Sequence, residues 1–260
     1  MAALLEDRIA VVTGAACGIG REVCLKAAEY GASIVALDRD PAGAKATADE
    51  VNAFGGTALY AECDVSNRVD VNAAFELALD RFGRVDMVSN NACVRITAAM
   101  TDVTEEQWDR SFDMNCKGAM FVCQSAAKIM KEQNFGRIVV TASQFGTEDA
   151  YENNAYATSM AVLPAMIRGF AAELSRYNVL SNVVSPGYTD TRLFRNGMAE
   201  RAKREGRPAQ EVIAELLRGV PIGRICHPEE VAELICFLGS EKNAYISGTD
   251  IQITGGKIMH

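Results

Sequence analysis

Short apolar runs alternate with stretches of helical period along this chain. Residues 9–13 (I-A-V-V-T) form the first run, which stops at Gly14. A helical pattern follows over about 18–30. Residues 33–37 (S-I-V-A-L) are a second run, and a polar-faced helix extends from there to about Phe54. The same reading predicts strands at 57–62, 85–89, 136–142, 179–184 and 250–254. It predicts helices at 69–82, at 105–133 with a break near Asn115, at 154–177 and at 228–239. Such alternation specifies βαβ units and a parallel sheet. The expected fold is α/β: one domain over residues 1–260, a doubly wound parallel sheet of about seven strands with helices on both faces. Ligands of such sheets bind outside the carboxyl ends of the strands. Residues 188–220 interrupt the alternation with a long, polar, helix-prone stretch carrying Arg192, Arg195, Arg201, Lys203, Arg204 and Arg207. This stretch is expected to be an insertion that closes over the substrate as a lid. Glu200, Glu205, Glu211 and Glu215 balance its charge, so a solvated helix face is the plainer alternative.

Composition narrows the function. Apolar residues make up 49% and charged residues 23%, an ordinary globular balance that excludes collagen, disorder and a disulfide-stapled mini-protein. The net charge of −8 is spread along the chain, whereas binding nucleic acid takes clustered Lys and Arg. No apolar run reaches the roughly 18 residues of a membrane span. The first residues, with Glu6 and Asp7, lack a signal peptide's apolar segment, so a cytoplasmic location without a membrane partner is expected. The eight cysteines form no C-x-x-C and there are two histidines, so no metal is expected. Most of these cysteines lie among apolar residues, as reduced, small hydrophobes do.

The first candidate site is the turn after the first strand, Thr13-Gly14-Ala15-Ala16-Cys17-Gly18-Ile19-Gly20. Glycines there allow a tight turn and let a pyrophosphate approach a helix N-terminus, where free N–H groups favour anions. Asp38 lies 18 residues past Gly20, at the end of the second strand. A carboxylate at that place accepts hydrogen bonds from the adenosine ribose and repels a 2′-phosphate, which points to NAD rather than NADP. Arg39 pulls the other way, because an arginine can pair with a 2′-phosphate. The plainer alternative is that Asp38 begins a turn through Asp40 and Pro41.

The glycine spacing is G-x-x-x-G-x-G, and it resembles that of the short-chain dehydrogenase/reductase family. The resemblance runs along nearly the whole chain. Asp64-Val65 is similar to the pair that contacts adenine. Asn90-Asn91-Ala92-Cys93 resembles the family's N-N-A-G, with Cys93 where glycine is usual. Asn115 matches the structural and catalytic asparagine. Ser143-Gln144-Phe145-Gly146 matches the S-x-x-G of the catalytic serine, and Tyr156 follows 13 residues later. Ser185-Pro186-Gly187-Tyr188-Thr189-Asp190-Thr191 resembles the loop at the nicotinamide, here with Pro186, Gly187, Thr189 and Thr191. The C-terminal motifs Pro221-Ile222-Gly223-Arg224, Pro228 to Ala232, and Ile246-Ser247-Gly248 to Gly256 complete the pattern.

The resemblance implies a single-domain Rossmann-type oxidoreductase that interconverts a secondary alcohol and its ketone. It implies a nicotinamide cofactor held by Gly14, Cys17, Gly18, Ile19, Gly20, Asp38, Arg39, Asp64, Val65, Asn91, Ala92, Cys93, Tyr156, Met160, Pro186, Gly187, Thr189 and Thr191. Tyr156 is the expected general acid/base, and Ser143 holds the substrate oxygen. A tyrosine serves only if its pKa, about 10 when free, is pulled toward the working pH, and a nearby cation does that. The family's cation is a lysine four residues after the tyrosine. Here that position, counted both as catalytic and as cofactor-binding, is Met160. Arg168 lies 12 residues past Tyr156, about 18 Å along the helix at 1.5 Å per residue.

Three explanations stay open. The tyrosine works unassisted, slowly or at alkaline pH; another group or the cofactor's own charge supplies the field; or the chain binds NAD with impaired or lost catalysis. A non-redox isomerase or dehydratase is a further alternative. Arg95, two residues past Cys93, is a candidate partner for a substrate carboxylate or phosphate. Gln144, Glu148, Tyr151 and Asn153 are polar candidates for the substrate pocket, suited to a sugar, polyol or hydroxy acid. Family members pair the tyrosine helix and the long helix before Ser143, so a homotetramer is expected.

Overall fold

The computed structural model describes residues 3–148 and 152–258. Seven strands lie in one sheet, every neighbouring pair parallel: β1 (Ile9–Thr13), β2 (Ser33–Asp38), β3 (Thr57–Glu62), β4 (Met87–Asn90), β5 (Gly136–Thr141), β6 (Val179–Pro186) and β7 (Asp250–Ile253). Their spatial order is β3-β2-β1-β4-β5-β6-β7, so the order in which strands are added reverses between β1 and β4. The expected doubly wound α/β fold is therefore present, with all seven strands.

Burial explains the apolar runs. Every residue of β1, β4 and β6 is buried, as strands covered on both faces must be. On one face pack α3 (Arg68–Phe82), α5 (Gly118–Gln133), α6 (Asn154–Ala161) and α7 (Leu163–Leu174), through Phe75, Met130, Leu163 and Ile167. On the other lie α1 (Gly18–Glu29), α2 (Pro41–Ala53) and α10 (Pro228–Leu238), through Val23, Val51 and Ile235. Between β4 and α5 comes α4 (Glu105–Phe112), which opens with a Thr104–Gln107 capping box.

Both long helical predictions are interrupted. The 105–133 pattern is broken where expected: Asp113–Lys117 form a π turn with Asn115 inside it. The 154–177 pattern breaks where no break was expected, at Val162 between α6 and α7. The reason is Pro164 in the first turn of α7. Proline has no N–H to bond the carbonyl four residues back, which is that of Met160. The Val162 N–H takes that carbonyl instead. The helix is thus bent directly behind the position where a cation was sought.

Residues 188–220 fold as α8 (Arg192–Glu205) and α9 (Ala209–Leu217), closed on a small core of their own formed by Phe194, Met198, Ala202 and Val212. No described helix is long and apolar enough to cross a membrane.

Candidate active site

A cleft of about 480 Å³ opens at the carboxyl ends of the strands, where the strand order reverses. Its floor at one end is the turn from β1 into α1. Gly14 has φ +67°, and a Cβ there would stand 2.9 Å from the Ala92 nitrogen. A Cβ on Gly20 would stand 2.2 Å from the Gly14 carbonyl oxygen. Glycine at these two positions lets helix, turn and neighbouring loop close together while leaving the cleft open. α1 has no acidic residue in its first turn and no side-chain cap at Cys17, so its leading N–H groups face the cleft unblocked. Cys17, Gly18, Ile19 and Gly20 all line the cleft.

Asp38 and Arg39 lie at the far end of the same cleft. Asp38 Oδ2 accepts from the Ala16 N–H at 3.0 Å, and Oδ1 from the Asp40 N–H at 2.9 Å. The carboxylate therefore ties the glycine turn to β2 and also starts its own turn. The hydrogen bonds show the turn reading of Asp38, and the residue also lines the cleft. Arg39 is exposed. Asp64 and Val65 line the wall, with Asp64 accepting from the Ser66 N–H and hydroxyl at 2.9 and 2.6 Å.

A chain of hydrogen bonds stiffens the middle of the cleft. The Thr13 hydroxyl donates to Asn90 Oδ1 (2.9 Å) and accepts from the Asn91 and Ala92 N–H groups (3.1 and 3.2 Å). Asn91 Oδ1 in turn accepts from the Thr141 hydroxyl at 2.7 Å. Thr13 and Thr141 were not singled out in the sequence. Both are the last residues of strands that carry a motif, which is the signal that marks them. Cys93 also lines the cleft, and burial pushes its thiol up to about 11, so it is protonated and unreactive at neutral pH.

Ser143 and Tyr156 meet at the other end. Ser143 follows β5 in an extended conformation, with its Oγ accepting from the Phe145 N–H at 3.3 Å. Tyr156 sits in the first turn of α6 and is buried. Ser143 and Tyr156 line the same end of the cleft, near enough for the serine hydroxyl to act on the phenol. Burial raises the pKa of that phenol well above its ordinary value; the neighbouring Cys93 adds to the rise, while Ser143 and Arg95 oppose it. Asn115 does not line the cleft. Its amide clamps the loop after β4, accepting from the Val94 N–H (2.8 Å) and donating to the Val94 carbonyl (2.9 Å) and the Ser159 hydroxyl (2.8 Å). Ser159 donates to the Tyr156 carbonyl at 2.7 Å, so Asn115 joins the Cys93–Arg95 loop to the tyrosine helix.

Met160 is 1% exposed and packs in the apolar core beneath Tyr156, away from the cleft wall. Arg95 is half-buried in the cleft, its Nε donating to Asn153 Oδ1 at 2.7 Å. Gln144 lines the cleft at 1% exposure, with neither amide atom hydrogen-bonded among the described residues. Glu148 is ion-paired with Lys257, whose ammonium lies 5.6 Å from the Tyr188 ring centre. That pair joins residues 109 apart, a proximity that no local pattern announces. Tyr151 lies outside the described residues. Pro186, Gly187, Thr189 and Thr191 all line the cleft.

Most of the arginines of 188–220 pair with acids: Arg195 with Asp190, Arg201 with Glu205 and Glu215, Arg207 with Glu205, Glu211 and Glu215, and Arg204 with Glu152. Arg192, Leu193 and Phe194, at the start of α8, line the cleft mouth.

The doubly wound sheet, the glycine turn and the serine–tyrosine pair are those of a short-chain dehydrogenase/reductase, a family of oxidoreductases that use a nicotinamide cofactor. The chain belongs to that family: its family model described as Enoyl-(Acyl carrier protein) reductase matches residues 14–257. The chain is 31% identical over 255 residues to the 3-oxoacyl-(acyl-carrier-protein) reductase FabG of Thermotoga maritima, covering 98% of this chain and 99% of the relative. It is similar to the crystal structure of a short-chain type dehydrogenase/reductase from Mycobacterium marinum, at 31% identity and a TM-score of 0.90 over 98% and 97% of the two chains. It is also similar to a 7α-hydroxysteroid dehydrogenase complexed with NADH and 7-oxo glycochenodeoxycholic acid, at 26% identity and a TM-score of 0.90 over 98% and 96%.

Proposed function

We propose that this protein is an NAD-dependent dehydrogenase that interconverts a secondary alcohol and its ketone, with Tyr156 as the general acid/base. The observation that carries the reading is that Ser143 and Tyr156 line one end of a cleft whose other end is the Gly14–Gly20 turn and Asp38. The residues fit a dinucleotide. A side chain at Gly14 or Gly20 would collide with backbone, α1 presents uncapped N–H groups, and Asp38 stands where an adenosine ribose is recognised. Bound there, the cofactor supplies the hydride acceptor or donor.

The chain's own groups do the rest. Ser143 holds the substrate oxygen. In oxidation the Tyr156 phenolate takes the hydroxyl proton; in reduction the phenol gives a proton to the carbonyl oxygen. Asn115 positions the tyrosine helix through Ser159, and the Thr13–Asn91–Thr141 chain holds the cleft floor. The partnerless amide of Gln144 supports a hydroxylated substrate such as a polyol, sugar or hydroxy acid. Residues 188–220 serve as the lid, a reading supported by Arg192, Leu193 and Phe194 at the cleft mouth. The proposal extends to a homotetramer paired through α5 and α7, supported by partly exposed Phe121, Ile129, Met166 and Phe170.

NADH formation from NAD across polyols, sugars and hydroxy acids, between about pH 6 and about pH 10.5 to bracket a free tyrosine, is the test. The expected result is turnover that rises with pH and favours NAD over NADP. A second reading, favoured by the apolar Met160, is a nucleotide-binding member with little turnover. Tight NAD binding without turnover of any substrate supports that second reading. Substrate conversion without net NADH overturns both in favour of an isomerase or dehydratase.

A further inference from the structure

We infer that Arg95 supplies the positive field that stabilises the Tyr156 phenolate, taking the part for which Met160 is unfit. The inference rests on the assignment of Tyr156 as the acid/base.

Tyr156 is buried, and a buried phenolate without a cation is strongly disfavoured. Along its own helix nothing helps: position 160 is a methionine in the core, and Pro164 bends the chain just beyond it. The polar groups that share the cleft end with the phenol come from other elements. Ser143 after β5, and Cys93 and Arg95 on the loop after β4, line the same cleft as Tyr156, and each acts on its phenol. Of these only Arg95 is a cation. Cys93 is a protonated thiol and contributes no positive charge.

Arg95 is held for this purpose from two sides. Its Nε bonds Asn153 Oδ1 at 2.7 Å, and Asn153 is the residue that leads into α6 and hence into Tyr156. Its guanidinium lies flat against α8 at Gly197, where a Cβ would stand 2.3 Å from Nη1. Glycine at 197 therefore makes room for the arginine head. Among the described residues no carboxylate is within ion-pair distance of Arg95, and Glu200 on α8 is the acid whose field reaches it. The other arginines of the cleft, Arg39, Arg110 and Arg192, are exposed and screened by water. Lys257 is committed to Glu148. A guanidinium stays charged even when burial opposes it, and it is weakly hydrated, so it suits this half-buried position. Arg95 acts through Tyr156 and is a positioning residue rather than one that reacts.

The test titrates Tyr156 itself. Tyrosinate absorbance, taken as the difference between each chain and its Tyr156→Phe counterpart, reads the phenol without any substrate. Four chains are compared, with and without NAD: the protein, Arg95→Met, Met160→Lys, and the double variant, with Arg95→Lys as the conservative control. Arg95→Met is expected to raise the midpoint by about one pH unit, a tenfold loss of phenolate at a given pH, and Arg95→Lys to restore most of it. Met160→Lys lowers the midpoint into a milder range, and there Arg95→Met has a smaller effect because a second cation is present. Oxidation rates follow: kcat at fixed pH falls about tenfold in Arg95→Met while KM stays within about twofold. An unmoved midpoint in both backgrounds overturns the inference. So does an unmoved midpoint with KM raised more than tenfold, which makes Arg95 a grip on a substrate anion. A moved midpoint in a chain that turns over no alcohol leaves the inference standing and removes the dehydrogenase reading instead.

Discussion

The two ends of the cleft are made of different material. The glycine-turn end is built from backbone: Gly14 and Gly20 allow the close approach, the leading N–H groups of α1 face the cleft, and the Ala16 N–H anchors Asp38. The proton-transfer end is built from side chains on four separate segments: Ser143, Tyr156, Asn115 and the Cys93–Arg95 loop. A backbone device needs one residue type at one spacing, because no other residue fits the space. A side-chain device needs only a charge or a hydroxyl at a place, and the place can be reached from several points of the chain. Met160, at the position where the sequence reading expects a cation, belongs to the second kind.

The largest effect expected from this comparison is at Tyr156. Tyr156→Phe keeps the ring and removes the proton. General acid–base groups contribute about 10²- to 10⁴-fold, so turnover should drop by about 10³ while NAD affinity, set at the other end, changes little. The pH profile sharpens the point. Burial raises the pKa of the phenol, so the phenolate needed for oxidation is a minor species at neutral pH. Oxidation should climb about tenfold per pH unit up to that pKa. Reduction, which uses the phenol, should stay level over the same range. An oxidation rate independent of pH, or a Tyr156→Phe variant of full activity, would sink the assignment.

Gly20→Ala breaks the other end. The added Cβ would meet the Gly14 carbonyl at 2.2 Å, and backbone on both sides leaves it nowhere to go. Overpacking of this kind costs about 1–3 kcal/mol, which lowers Tm by about 2–4 °C per kcal/mol in a chain this long. The turn moves into the space of the pyrophosphate, so NAD affinity should fall at least tenfold. Calorimetry for the fold and fluorescence titration of NADH for the site measure the two losses separately. Unchanged NADH affinity in Gly20→Ala would mean that the turn is a packing device and the cofactor lies elsewhere.

The difference in material also decides how much could be read beforehand. The inner strands β1, β4, β5 and β6 were legible because parallel strands buried on both faces are nearly continuously apolar, and the glycine turn was legible because its spacing is rigid. The break at Asn115 was legible too. The break behind Met160 was overlooked although Pro164 announces it, because the apolar period runs on across the proline. The clamp of Asn115 on Val94, the Lys257–Glu148 pair and the contact of Arg95 with Gly197 join residues 21, 109 and 102 apart. Nothing in local periodicity or spacing encodes such meetings. They exist only once the sheet has stacked its loops at one edge. Arg95 was visible as a charge near the pocket; that it lies beside Tyr156 was not.

The smallest expected effect is at Asp38, where backbone and side-chain roles overlap in one carboxylate. One of its oxygens holds the Ala16 N–H and the other the Asp40 N–H, and the residue lines the cleft. Asp38→Asn keeps the shape and one acceptor but removes the charge. If the carboxylate recognises the ribose, charge-assisted hydrogen bonds of about 1.5–3 kcal/mol are weakened, and NAD affinity should fall about tenfold. NADP affinity should rise, because the repulsion of a 2′-phosphate is gone and the exposed Arg39 is free to approach it. If Asp38 only holds the turn, the amide instead sets an N–H against a backbone N–H. Tm then falls by a few degrees and the NAD to NADP ratio stays where it was. Measuring the ratio and Tm on the same variant separates the two roles: a shifted ratio at nearly constant Tm makes Asp38 the selector of the cofactor, and a lowered Tm at constant ratio makes it part of the backbone scaffold.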